Sequence, residues 1–95
     1  MKVLKDADMF LNDNYLVLMV LYDNQQEINN HIFTAITQQE IGEILDFSLM
    51  KVNAIMKKLK EAGYLKAYKN SRGRYQLTDK ADTLIKEIKK LKGEK

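Results

Sequence analysis

The chain has 95 residues, 45% apolar and 31% charged, which suits one compact domain with a single core and excludes a disordered tail. It has no cysteine, hence no disulfide framework or thiolate chemistry, and its longest apolar run, Tyr15 to Tyr22, falls well below the roughly 18 residues of a membrane span. The net charge of +3 hides an asymmetry: two basic against eight acidic residues in 1–50, a formal −6, then fourteen against five in 51–95, a formal +9, as expected of a scaffolding half joined to a polyanion-binding half.

In chain order, Val3 to Leu11 has Leu4, Ala7 and Leu11 at helical spacing, and reads as a short N-terminal helix. Asn12-Asp13-Asn14 offers capping side chains for a second helix, about Tyr15 to Tyr22, apolar nearly all round and so expected at the centre of the core. Asp23 to Asn30 is polar and amide-rich and reads as a loop or frayed helix end. Ile32 to Ile36 reads as a short strand.

Thr37-Gln38-Gln39-Glu40 has the form of a capping box, Thr at the cap and Glu three residues on, and predicts a helix from about Gln38 to Leu45. Gly42 inside that helix costs about 1 kcal/mol relative to alanine, which points to a close backbone approach. After a tight break at Asp46-Phe47, Ser48 caps another helix. Its Val52, Ile55, Met56 and Leu59 form a core-facing stripe, and Gly63 ends it.

Tyr64 to Tyr68 and Tyr75 to Leu77 read as two strands around a polar basic turn, Lys69 to Arg74. Thr78 caps a last helix with Ala81, Leu84, Ile85, Ile88 and Leu91 as its apolar stripe and lysines at its C-terminal end. The predicted fold class is α+β, mainly α with a small β-hairpin: a single winged helix-turn-helix domain over 1–95. Residues 1–13 are an N-terminal extension, and the 78–92 helix is a candidate dimerisation element.

Two short helices across a tight turn make a helix-turn-helix. On the second, Met50, Asn53, Ala54 and Lys57 are expected to point away from the core, with Lys51 and Lys58 on the flank. Lysine reaches guanine acceptors or phosphates, asparagine pairs with adenine, and Ala or Met touches a thymine methyl. Ser48 stands at that helix's start. In the hairpin, Lys69, Asn70, Ser71, Arg72 and Arg74 form a basic tip suited to a minor groove or to phosphate oxygens. Thr37, Gln38 and Gln39 sit at a helix N-terminus, where backbone N–H groups attract a phosphate. These cations are expected to converge on one surface matched to a double-stranded DNA duplex. A solvated lysine-rich helix is the plainer alternative for the second helix.

Three pieces carry a resemblance: Thr37-Gln38-Gln39-Glu40-Ile41-Gly42-Glu43-Ile44-Leu45; Val52 through Leu65, ending in Leu59-Lys60-Glu61-Ala62-Gly63-Tyr64-Leu65; and Leu77-Thr78-Asp79-Lys80-Ala81. From about Asn14 to Leu91 the chain resembles the winged-helix domains of MarR, ArsR and PadR-type bacterial repressors. It departs from them in having Ala81 where a glycine usually follows the Leu-Thr-x-Lys segment, and in being shorter than typical MarR proteins. The resemblance implies a homodimer paired through terminal helices and transcriptional regulation at a pseudo-palindromic operator.

No catalytic constellation can be assembled. The single histidine, His31, has no cysteine or second histidine to share a metal, and no glycine-rich phosphate loop is present. No enzyme activity, cofactor or metal is expected, and no small-molecule effector is specified. Asp6 and Asp8 interrupt what would be a signal peptide, so a soluble cytoplasmic protein is expected. The alternatives to a DNA-binding regulator are a protein-protein interaction module and a plasmid or phage replication or copy-control protein.

Overall fold

The computed structural model describes residues 12–68, 74–91 and 93. The predicted Val3 to Leu11 helix and the hairpin tip from Lys69 to Gly73 lie outside the described residues. Among the described residues four helices and four strands follow in order: α1 Asp13–Asp23, β1 Gln25–Ile28, β2 His31–Ala35, α2 Gln38–Leu45, α3 Leu49–Glu61, β3 Leu65–Ala67, β4 Arg74–Leu77 and α4 Asp79–Leu91.

The helix starts follow from local chemistry. The Asn12 side chain accepts the Tyr15 N–H at 3.3 Å, Ser48 Oγ accepts the Lys51 N–H at 3.1 Å, and Thr78 Oγ1 accepts the Ala81 N–H at 3.3 Å. At α2 the capping box is complete: Thr37 Oγ1 accepts the Glu40 N–H, and Glu40 accepts the Thr37 N–H at 2.9 Å. The helix ends differ. Asp46 takes a left-handed conformation, φ 59°, to end α2, whereas α3 ends in a Schellman motif around Gly63, φ 85°. There the Tyr64 N–H reaches Leu59 O and the Gly63 N–H reaches Lys60 O.

The segment expected to be a loop or frayed helix end, Asp23 to Asn30, begins as the end of α1 and then, against that expectation, forms a strand. β1 pairs antiparallel with β2, Gln25 opposite Thr34 and Ile28 opposite His31. Asn29 and Asn30, φ 52° and 67°, form the two-residue turn between them. Positive φ at both central positions matches the twist of a hairpin, and asparagine tolerates it. All four β1 residues are exposed, so the strand carries no apolar alternation that periodicity could detect. The expected small hairpin is therefore part of a four-stranded antiparallel sheet of order β1-β2-β4-β3.

The core lies between the helices and one face of this sheet. α1 contributes Val17, Leu18, Val20 and Leu21, α3 its full stripe of Val52, Ile55, Met56 and Leu59, and α4 Ala81 and Ile85. Thr34 is fully buried, and its hydroxyl donates to Leu21 O at 2.8 Å, fastening β2 to α1. Tyr75, opposite Thr34 across the β2–β4 ladder, shares that inner face. Its neighbour Arg74 belongs to the outer face, with its guanidinium 5.4 Å from the centre of the Phe33 ring. Phe33 stacks on Tyr68 at 4.8 Å, and the exposed His31 ring meets Tyr68 edge-on at 6.4 Å.

Candidate nucleic-acid interface

Gly42 sets the geometry of the helix-turn-helix. A Cβ there would stand 2.6 Å from the Phe47 carbonyl oxygen and 3.6 Å from a methyl of Val52. The chain thus turns back against α2 through a gap that only glycine leaves open, and the Phe47 N–H bonds Gly42 O at 2.8 Å. The close approach expected at this glycine is made mainly by the turn's backbone, with the first core residue of α3 behind it.

The tight turn directs α3. With Val52, Ile55, Met56 and Leu59 buried, Met50, Asn53, Ala54 and Lys57 are all exposed. Their i, i+3, i+4, i+7 spacing gathers them on one outward face. Met50 is 81% exposed, an unusual state for a large apolar side chain, and Leu49 and Ile44 beside the turn are more than half exposed. Lys58 is exposed on the flank.

Lys51 is not free. Its ammonium is 2.7 Å from Asp13 Oδ2 in the first turn of α1 and 4.0 Å from the centre of the Phe47 ring. This contact is invisible in the sequence, because its partners are 38 positions apart. At the start of α2, Thr37 and Gln39 are exposed, while Gln38 is half-buried and donates from Nε2 to the Tyr75 hydroxyl at 3.2 Å. Ser48 is occupied as the α3 cap. Arg74 stands exposed at the base of the wing on the outer sheet face. Lys69, Asn70, Ser71 and Arg72 lie outside the described residues. The structure therefore brings Met50, Asn53, Ala54 and Lys57 together, and ties Lys51 and Gln38 to partners within the fold.

Other features are sparse. A groove of about 330 Å³ between α1, α3 and α4 is lined mainly by apolar groups, among them Tyr15, Leu18, Leu59, Leu84 and Ile88, with Lys58 also among its lining residues. Among the described residues no cluster of three His, Asp or Glu side chains is placed to hold a metal. No described helix is long and apolar enough to cross a membrane.

Residues 35–66 match a protein-family model described as winged helix-turn-helix DNA-binding. That span runs from the last residue of β2 through α2, the Gly42 turn and α3 into β3. The fold is a winged helix-turn-helix. Two solved structures share it, both from Thermus thermophilus. One is a transcriptional regulator of the CRP/FNR family, 20% identical with a TM-score of 0.56 over 84% of this chain. The other is a CRP-family transcriptional regulator, 12% identical with a TM-score of 0.58 over 95% of this chain. At these identities the likeness is one of fold. The chain spans 39% and 45% of the length of those two regulators. No curated protein matches it.

Proposed function

We propose that this winged helix is a sequence-specific reader of double-stranded DNA that regulates transcription in the cytoplasm, with α3 as the recognition helix in the major groove. One observation carries the reading. The outward face of α3, in the segment matching the DNA-binding family model, presents amide, apolar and cationic side chains to solvent with no described side chain packed over them. Such a mixture suits base edges better than bulk water. The exposed start of α2 offers the Gln39 N–H to a phosphate, the Thr37 N–H being bonded to the Glu40 carboxylate. The wing, with Lys69, Asn70, Ser71, Arg72 and Arg74, lies along flanking DNA.

The regulator acts as a homodimer paired through its N-terminal segment and α4, in the manner of the MarR, ArsR and PadR repressors it resembles. Leu84 and Ile88 on α4 are only partly buried and Leu91 is exposed, which leaves an apolar edge available to a second copy. Such pairing would set two recognition helices about 34 Å apart, one turn of duplex. Gel-shift titration against mixed-sequence duplex at low and moderate salt tests the DNA reading. Salt-sensitive retention supports it; failure to retain duplex even at low salt refutes it and favours a protein-docking role. Sedimentation velocity tests the dimer.

A further inference from the structure

Resting on the reading of α3 as the recognition helix, we infer that its N-terminal tip selects A·T-rich half-sites by contact with thymine 5-methyl groups, with Met50 and Ala54 as the methyl contacts and Asn53 as the adenine contact. In helix-turn-helix complexes the first residues of the recognition helix meet the base edges. Here that tip is Leu49, Met50, Asn53 and Ala54, all exposed. Guanine is read most often by a bidentate arginine or a lysine. Lys51 is the only basic residue between Glu40 and Met56, and it is held by Asp13 at 2.7 Å and lies over the Phe47 ring. Lys57 follows Met50 by seven residues, about 10 Å farther along the helix axis. The tip thus presents no unpaired lysine or arginine to guanine O6 and N7.

What the tip has is apolar surface that the fold leaves wet. Met50 is 81% exposed and Leu49 53%, both at the N-terminal tip of α3. The thymine methyl is the apolar group of a major-groove base edge, and it belongs to the same base pair as the adenine N6 and N7 that an asparagine pairs with. Methyl contact and amide contact therefore converge on the same base pairs. Lysines outside the tip, Lys57 and Lys58, supply attraction to the backbone without dictating sequence.

The test is selection of duplexes from a random pool by the full chain, followed by resynthesis of a selected duplex with deoxyuridine in place of thymine at each half-site position. Enrichment of A·T steps is expected, with affinity falling about fourfold for each contacted methyl removed. Met50→Ala, at an exposed position where folding is not at stake, should weaken binding to the thymine duplex and lose most of the discrimination against deoxyuridine. Asn53→Ala should relax selection of adenine at one position. Selection of G·C-rich sites, or equal affinity for thymine and deoxyuridine duplexes, overturns the inference while leaving DNA binding intact. Loss of all duplex retention at low salt would instead remove the reading on which it rests.

Discussion

The Lys51 ammonium stands 2.7 Å from the Asp13 carboxylate, so the first turn of α3 is joined electrostatically to the first turn of α1. Both side chains are nearly half exposed, and an ion pair of that kind contributes about 0–1 kcal/mol to stability. Its larger effect is on binding, because a lysine shared with a carboxylate is a poor phosphate ligand. Asp13→Asn should therefore change the unfolding midpoint little, raise affinity for duplex DNA about threefold at moderate salt, and steepen the salt dependence by up to about 0.9 in the log–log slope. Unaltered affinity and slope would show that Lys51 does not face the backbone.

Lys57 supplies the converse case. It is exposed on the outward face of α3, and its charge is expected to displace one counterion from the duplex. Lys57→Ala should flatten the same slope by about 0.9, and so should Arg72→Ala in the wing. Fluorescence anisotropy over a salt series measures both, and slopes equal to wild type would remove these residues from the contact set.

Gly42 gives a prediction about stability. Gly42→Ala gains helix propensity but forces a Cβ to within 2.6 Å of the Phe47 carbonyl oxygen, a backbone atom with no free rotor to relieve the clash. We expect a net loss of about 1–3 kcal/mol in urea unfolding. A more stable variant would mean that the turn relaxes without cost.

Thr34→Val keeps the shape of a fully buried side chain and removes its hydrogen bond to Leu21 O. The expected loss is about 1–2 kcal/mol, because the carbonyl gives up a short buried donor. Equal denaturation midpoints for the two proteins would show that β2 is held to α1 by packing alone.

The α2 capping box should make stability depend on pH in the acid range. Hydrogen bonding from Thr37, first through its backbone and then its side chain, holds the Glu40 carboxyl below its ordinary value of 4.5. A carboxyl depressed in the folded state stabilises it above the unfolded pKa, and that contribution disappears as pH falls through the folded one. Acidifying from neutral to below the usual carboxylate range should thus lower the melting temperature of the wild type more than that of Glu40→Gln. Parallel curves for the two proteins would mean that the box contributes no pH dependence.

How far the fold was legible depended on whether the signal was local. Thr37 with Glu40, Ser48 with its following stripe, and Gly63 with Tyr64 are short-range patterns whose chemistry sets a helix start or stop, and the structure follows each. β1 was not legible, since Gln25, Gln26 and Glu27 are exposed and owe their order to pairing with β2 and to the Asn29-Asn30 turn. In the candidate site, the outward face of α3 followed from its buried face by period alone. The engagement of Lys51 by Asp13 and of Gln38 by Tyr75 did not, because each spans more than thirty residues and exists only once α1 and β4 are in place.

The far end of α3 is held as firmly as its start is exposed. Three consecutive carbonyls, those of Ala62, Gly63 and Tyr64, accept hydrogen bonds from Lys80 Nζ at 2.7 Å, Thr78 Oγ1 at 2.7 Å and the Thr78 N–H at 3.2 Å, and the Lys80 ammonium also lies 4.5 Å from the Tyr64 ring centre. The clasp joins the start of α4 to the C-terminal end of α3 through one backbone and two side-chain hydrogen bonds. A contact made at the start of α4 therefore bears directly on the heel of α3, the end of that helix opposite Met50.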